Sequence, residues 1–379
     1  MSSRLDSFLE SLDAPPGSPR DRDNRYYRLL AGGAKTRLLE GFLELGLPEL
    51  LGREGPLAAD DICRKLKLDL TRGWKFLHLL ALAGLLTEEP PPLRAARDVA
   101  ELSLDGRLGT STSDKTVFSL SPEAIDYFGP RGDEAYFYRD LVQYWKNVAT
   151  LPLVDVLKGM PLPEAVVWPP ANAEAADHLE TWMRVTADGA IRTLVNSGTM
   201  AHAERLLDVG GGDGTIACAL VSLYGNLDAT VFNLPASAAI AERVIGARGL
   251  SDRVHVQIGD FLHDELPGSF DRVLFSRVLT DWNAETCTML FKKVKRALRP
   301  DGRLIINEAL VEGNVDYTIA WEFRYMYYDT FGRALLKPLS TYERLLGEAG
   351  FEILSVTPMI DDAFYSVIEA APIEIDDRR

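Results

Sequence analysis

Cysteine is scarce in this chain: only Cys63, Cys218 and Cys287 occur, each far from the others. That spacing excludes a disulfide framework and offers no metal-ligand pattern, so no metal is expected. The thiols read as small apolar fillers in a reducing cytoplasm. No apolar run is long enough to span a membrane. The first thirty residues have no signal-peptide apolar core; they carry SFLESLDAPPGSPRDRDN, which is polar and rich in proline and charge. A mobile tail is expected over residues 1–24, in a cytoplasmic protein. Positive charge is also short, with 41 basic against 56 acidic residues and a formal net charge of −15. Such a balance repels phosphate backbones and anionic membranes, so neither nucleic acid nor a membrane is the expected partner.

What is present is an ordinary globular composition in a chain longer than one core usually serves, so two domains are expected. From Tyr27 to about Leu86 the apolar residues recur at helical spacing. KTRLLEGFLELGLPELL and GWKFLHLLALAGLL read as amphipathic helices closed near glycines, with PLAADDICRKLKLD as a third between them. Three short helices followed by an extended TVFSLSP suggest a winged helix over residues 25–130, with an irregular insertion from Glu88 to Lys115. Its most recognition-like helix, LTRGWKFLHLLALAGLL, is apolar nearly all round and suits a dimer interface better than DNA. Residues 131–200 read as a helical, aromatic linker with Tyr144, Trp145, Trp182 and Met183. These residues either pack between domains or wall an apolar acceptor pocket.

From Ala203 strands and helices alternate. RLLDV, ATVFNL, RVHVQI, FDRVLFS and GRLIINEAL are strand-length aliphatic runs separated by helical stretches. That alternation builds a parallel sheet covered on both faces. FEILSVTP and AFYSVIEAAP then form a hairpin that adds one antiparallel strand. The fold class is α/β, with a Rossmann-like domain over 201–372 and a short tail over 373–379.

The strongest motif is Asp208-Val209-Gly210-Gly211-Gly212-Asp213-Gly214-Thr215, where a strand turns into a helix. Glycines let the backbone turn tightly and approach a ligand. Gly210-x-Gly212-x-Gly214 is not the spacing that seats a pyrophosphate. The acidic Asp208 at its mouth suits a cation carrying an ammonium and a sulfonium. About twenty residues on, where such folds recognise ribose, stands Asn233. Asp260 and Phe261 end the third strand, one to accept from an adenine amine and one to cover its face. Ser276 and Arg277 end the fourth, with Arg277 placed for a carboxylate.

In this order LLDVGGGDGT, FNLP, GDFL, SRVLTDW, RALRPDGRLIINEAL and YERLLGEAGF resemble the small-molecule O-methyltransferases of the caffeic-acid and acetylserotonin type, as do ELGLPELL and LLALAGLL near the N-terminus. The likeness spans about Tyr27 to Pro372. It implies a winged-helix dimerisation domain, a homodimer, S-adenosylmethionine as cofactor and a small aromatic acceptor. It places Gly210, Asn233, Asp260, Phe261 and Arg277 at the cofactor, and Asp208, Gly212, Ser276 and Trp282 complete the expected cofactor site. Asn233 stands where the family commonly has Asp.

A larger departure is Thr280-Asp281-Trp282, where the family has His-Asp-Trp with the histidine as base. A threonine hydroxyl is no base near neutral pH. Glu308 matches the assisting carboxylate, and an apolar residue near Leu339 replaces a second one. Three chemistries follow. O-methylation persists with Glu308, Asp281 or Asp329 as base, or with a phenol ionised by Arg324, Arg333 or Lys337. Alternatively, methylation falls on ring carbon. Or methyl transfer is lost and the pocket serves another reaction. Trp321 to Tyr328, including Arg324, Met326 and Tyr327, reads as further acceptor wall. His178 is the histidine kept open; His78, His202, His255 and His263 read as packing or surface residues. A ligand-sensing winged-helix regulator is the reading from another class, disfavoured by the acidic balance and the apolar third helix.

Overall fold

A computed structural model describes residues 19–89, 115–128, 142–143, 146, 151–161, 170, 172–312, 315–325, 336–358 and 364–373. The chain divides into two compact units, Met1–Thr150 and Leu151–Arg379.

The first unit contains α1 (Pro19–Glu44), α2 (Leu47–Glu54), β1 (Leu57–Ala58), α3 (Ala59–Leu66), α4 (Leu70–Leu82), β2 (Leu86–Glu89), β3 (Val117–Leu120) and α5 (Pro122–Phe128). The strands form a small antiparallel sheet in the order β1-β3-β2. Phe42, Leu47, Ile62, Leu77, Leu80 and Phe118 are its sealed core. Three details differ from the sequence reading. Helix α1 begins at Pro19, inside the stretch expected as tail. KTRLLEGFLELGLPELL is two helices, because Gly46 takes a left-handed φ of 65° and Pro48 then starts α2, where a missing N–H does no harm. Finally, β2 extends into the expected insertion as far as Glu89.

The second unit carries α6 (Leu153–Leu157), α7 (Ala173–Val185), α8 (Asp188–Ser197), β4 (Arg205–Val209), α9 (Thr215–Leu223), β5 (Asp228–Asn233), α10 (Pro235–Ala247), β6 (Val254–Ile258) and β7 (Phe270–Ser276). A single 3₁₀ turn, Leu279–Asp281, leads to α11 (Ala284–Ala297), β8 (Leu298–Glu308), α12 (Val315–Tyr325), α13 (Leu339–Ala349), β9 (Phe351–Thr357) and β10 (Ser366–Pro372). The seven-stranded sheet runs β6-β5-β4-β7-β8-β10-β9. It is parallel from β6 to β8, and β10 enters antiparallel between β8 and β9.

Successive residues of the central strands feed opposite cores, as the two-residue period requires. Leu207, Val273, Phe275, Leu304, Ile306 and Ile368 pack towards α11 and α13. Leu206, Leu274, Ile305 and Val367 pack towards α8, α9 and α10. Both faces are dry, which is why these strands read as unbroken aliphatic runs. Helices α7 and α8, which fall in the stretch read as a linker, pack on this unit: α7 lies against α10 and α8 against β8 and β10. Asn172 caps α7 by accepting from the Ala175 N–H at 2.8 Å. All three cysteines are buried, and none of them is in a disulfide.

Candidate active site

The site grows from the carboxyl edge of β4, where open α/β sheets bind ligands. Buried Asp208 ends the strand, and the chain then turns through Gly210 and Gly212 with φ of 72° and 57°. At Gly212 a β-carbon would stand 2.6 Å from Oε2 of Glu180 on α7, so any side chain there must displace that carboxyl, and the φ of 57° is one that glycine adopts without strain. At Gly211 one would stand 2.4 Å from Asp208 Oδ2. The turn is stapled to its neighbours. Gly210 N–H donates to the Phe232 carbonyl at 2.9 Å, and Arg184 donates to Asp213 at 2.8 Å.

Burial raises the Asp208 carboxyl to about 7, with the Arg277 charge opposing. Its Oδ2 is sealed from solvent and has no hydrogen-bond partner. A buried acceptor left unmade is costly, and a cationic donor entering the turn would satisfy it. Burial also raises Glu180, against a Ser237 hydrogen bond, and the like charge of Asp213 adds to the rise. The residues therefore fit a small cationic ligand.

Asn233, at the end of β5, donates to the Gly212 carbonyl at 3.2 Å and accepts from Leu234 N–H at 2.8 Å. It braces the turn and keeps a second amide N–H for a ligand. Asp260 accepts from Leu262 N–H at 2.9 Å and pairs with His263 Nδ1 at 2.8 Å. Its burial raises the carboxyl, yet the His263 and Leu262 hydrogen bonds outweigh this and hold it below its ordinary value. Phe261 meets Trp282 edge-on at 5.7 Å, and Phe261 and Val278 face Gly210.

Two strand-end residues lie elsewhere than the sequence reading placed them. Ser276 is buried and accepts from the Asn307 side chain at 3.1 Å, so it faces the protein interior. Arg277, at a left-handed φ of 60°, directs its guanidinium to the Thr186 carbonyl and hydroxyl and to the Met183 carbonyl. It ties α7 to the sheet, and its charge reaches Asp208 and Glu180. Sequence reasoning missed Glu180 and Arg184, four residues apart on one face of α7, although it noted Trp182 and Met183 beside them. It also read His263 as a bystander.

Residues 169–352 match the family model for an O-methyltransferase domain. The chain is 31% identical over 46% of its length to L-tyrosine C(3)-methyltransferase of Streptomyces lavendulae, covering 47% of that protein. It is 36% identical over 38% of its length to acetylserotonin O-methyltransferase of Bos taurus, covering 42% of it. The chain thus spans about half the length of these curated relatives. The solved structure of human N-acetylserotonin methyltransferase in complex with SAM superposes with a TM-score of 0.67 at 19% identity, covering 95% of this chain and all of that one. The likeness to an O-methyltransferase domain is therefore carried by residues 169–352.

The turn Leu279–Asp281 presents half-buried Thr280, the residue that the sequence reading set against a histidine base. The turn is gripped from two directions. Oε1 of buried Glu308 accepts from the Val278 and Leu279 N–H groups, both at 2.7 Å. Buried Lys337 donates to the Leu279 carbonyl at 2.7 Å and the Thr280 carbonyl at 3.4 Å. Burial drives the Glu308 carboxyl up to about 7, despite those amides and the Lys337 charge, and Asp281 adds to the rise. Burial lowers Lys337 against the opposing charges of Cys287, Glu308, Asp281 and Glu322. Glu308 and Lys337, expected as base and phenol-facing cation, are placed to hold the turn. Glu312 accepts from Leu339 N–H at 3.0 Å, so a carboxylate does lie beside the position read as apolar. Trp182 and Met183 are half-buried on α7. Tyr144, Trp145, Met326, Tyr327, Asp329, Arg333 and the side chain of Arg324 lie outside the described residues.

Proposed function

We propose that this chain is an S-adenosylmethionine-dependent methyltransferase acting, in the cytoplasm, on a small phenolic acceptor of specialised metabolism. The observation that carries this reading is the acidic glycine turn: Asp208 with an orphaned carboxylate oxygen, beside Gly210 and Gly212 at positive φ. Asp208, Gly210 and Gly212 would hold the amino-acid end of the cofactor, Asn233 its ribose, and Asp260, Phe261 and Trp282 its adenine. When bound, the cofactor supplies an electrophilic methyl group on a sulfonium. The protein's own work is to exclude water and hold the acceptor in line, at roughly 3–3.5 Å, and such positioning provides much of a rate without any base.

O-methylation is the first reading because the family match is to an O-methyltransferase domain. Methylation of ring carbon is the second, favoured by Thr280 in place of a base and by the likeness to L-tyrosine C(3)-methyltransferase. The test is mass spectrometry of products from the full chain, S-adenosylmethionine and a panel of phenols and aromatic amino acids. A methyl ether or a C-methyl arene is the expected product. A panel returning only unmethylated compounds, with the cofactor bound, removes the reading.

The N-terminal unit is proposed as the seat of a homodimer. Tyr27, Leu29, Leu30, Leu79 and Leu82 expose apolar surface on α1 and α4 that a small unit does not cover itself. Light scattering at micromolar concentration should give twice the chain mass, and a monomer there excludes this assembly.

A further inference from the structure

The buried carboxylate of Glu180 is absent from the resemblance and from the chemistry above. Its helix, AEAADHLETWMRV, is bound to the sheet by Arg184 on Asp213 and by Arg277 on the Met183 and Thr186 carbonyls. That packing seals Glu180 to 4% exposure directly against Gly212. At the preceding residue of the same turn the orphaned Asp208 Oδ2 lies against Gly211. Two buried carboxyls therefore lie against consecutive glycines at the mouth of the sheet.

Buried carboxylates need positive partners or hydrogen bonds. Glu180 has the Ser237 hydroxyl and an Asp213 backbone contact, and the Arg277 charge acts on it. Arg277 also acts on Asp208, but its terminal nitrogens donate to the carbonyls and hydroxyl of α7's end. Arg184 is paired to Asp213. The hydrogen bonds of both arginines thus go elsewhere than to the Glu180 and Asp208 carboxyls. A cation entering the turn must bring hydrogen-bond donors, because Asp208 Oδ2 lacks one. An ammonium has three N–H donors, whereas a sulfonium has none.

Resting on the cofactor reading above, we propose that Glu180 is a cofactor-binding residue that completes, with Asp208, a two-carboxylate seat for the ammonium of the cofactor's amino-acid end. Glu180 then discriminates cofactors by that end alone and leaves adenosine recognition to Asn233, Asp260 and Phe261.

Calorimetric titration of wild type, Glu180→Gln and Glu180→Ala with S-adenosylhomocysteine and 5′-methylthioadenosine tests this. The second ligand keeps the adenosine and sulfur but lacks the amino-acid end. Loss of one charge-assisted hydrogen bond should weaken S-adenosylhomocysteine by about 10- to 100-fold while leaving 5′-methylthioadenosine within about 2-fold. Equal weakening of both ligands would make Glu180 a packing residue of the turn and overturn the proposal, as would no change in either. The ratio of the two affinities is taken on one preparation, so partial unfolding of a variant does not alter it. Wild type binding neither ligand would instead remove the cofactor reading itself.

Discussion

Gly212→Val should remove S-adenosylhomocysteine binding, with at least about a 100-fold loss of affinity, while the sheet unit stays folded. Two costs coincide at this residue. Its φ of 57° is a conformation that a β-branched side chain scarcely adopts, worth about 1–3 kcal/mol of strain. Its β-carbon would also fall 2.6 Å from Glu180 Oε2, on a side chain held by Ser237 and sealed under α7. Either the Glu180 carboxyl is displaced or the backbone shifts, and a backbone shift would disturb the Gly212 carbonyl's hydrogen bond from Asn233 Nδ2 as well. Gly225 supplies the control, since a β-carbon there meets nothing within 4 Å. Gly225→Ala should bind as wild type does. Calorimetry with thermal melts of both variants measures this, and unchanged affinity in Gly212→Val would reject the site.

What the sequence disclosed follows the range of the forces that fix each feature. The strands of the second unit were legible because both faces are buried, which leaves runs such as RVLFS and RLIINE with no polar alternation to obscure them. Asp208 and its glycines were legible because a tight turn needs its residues adjacent in the chain. Glu180 was not legible, since nothing local separates a carboxylate aimed at Gly212 from Glu174 or Asp177 on the exposed face of the same helix. Arg277 was found at the right strand end, but its destination depends on α7, 91 and 94 residues earlier in the chain. Lys337 was picked out as a cation; only the packing of the segment before α13 shows it beneath the Thr280 turn. Long-range partners of charged groups were the blind spot.

Thr280→His separates the two methylation chemistries. The substituted imidazole would sit on a turn already fixed through the amides by Glu308 and through the carbonyls by Lys337, so its backbone position is preset. If the acceptor atom is a hydroxyl oxygen, restoring a base should raise O-methylation about 10²–10⁴-fold. The gain should appear as pH rises through about 6.5, where imidazole loses its proton. If the acceptor atom is ring carbon, the same variant should leave C-methylation flat or lower and divert product towards the ether. Glu308→Gln supplies the pH control. With its carboxyl near 7, Glu308 is protonated below that pH and ionised above it. A turn that needs the anion works better as pH rises through about 7, and Glu308→Gln should flatten that limb and lower turnover. Stability runs the opposite way, because a carboxyl raised by burial contributes stability below its ordinary value of 4.5 and loses it as pH climbs towards 7. The measurement is product identity and rate for wild type and both variants across pH 5.5 to 8.5. A Thr280→His variant that gains no ether on any phenol, while wild type makes C-methyl product, assigns the native reaction to carbon. No methylated product from wild type across the panel, despite bound cofactor, makes loss of methyl transfer the leading reading.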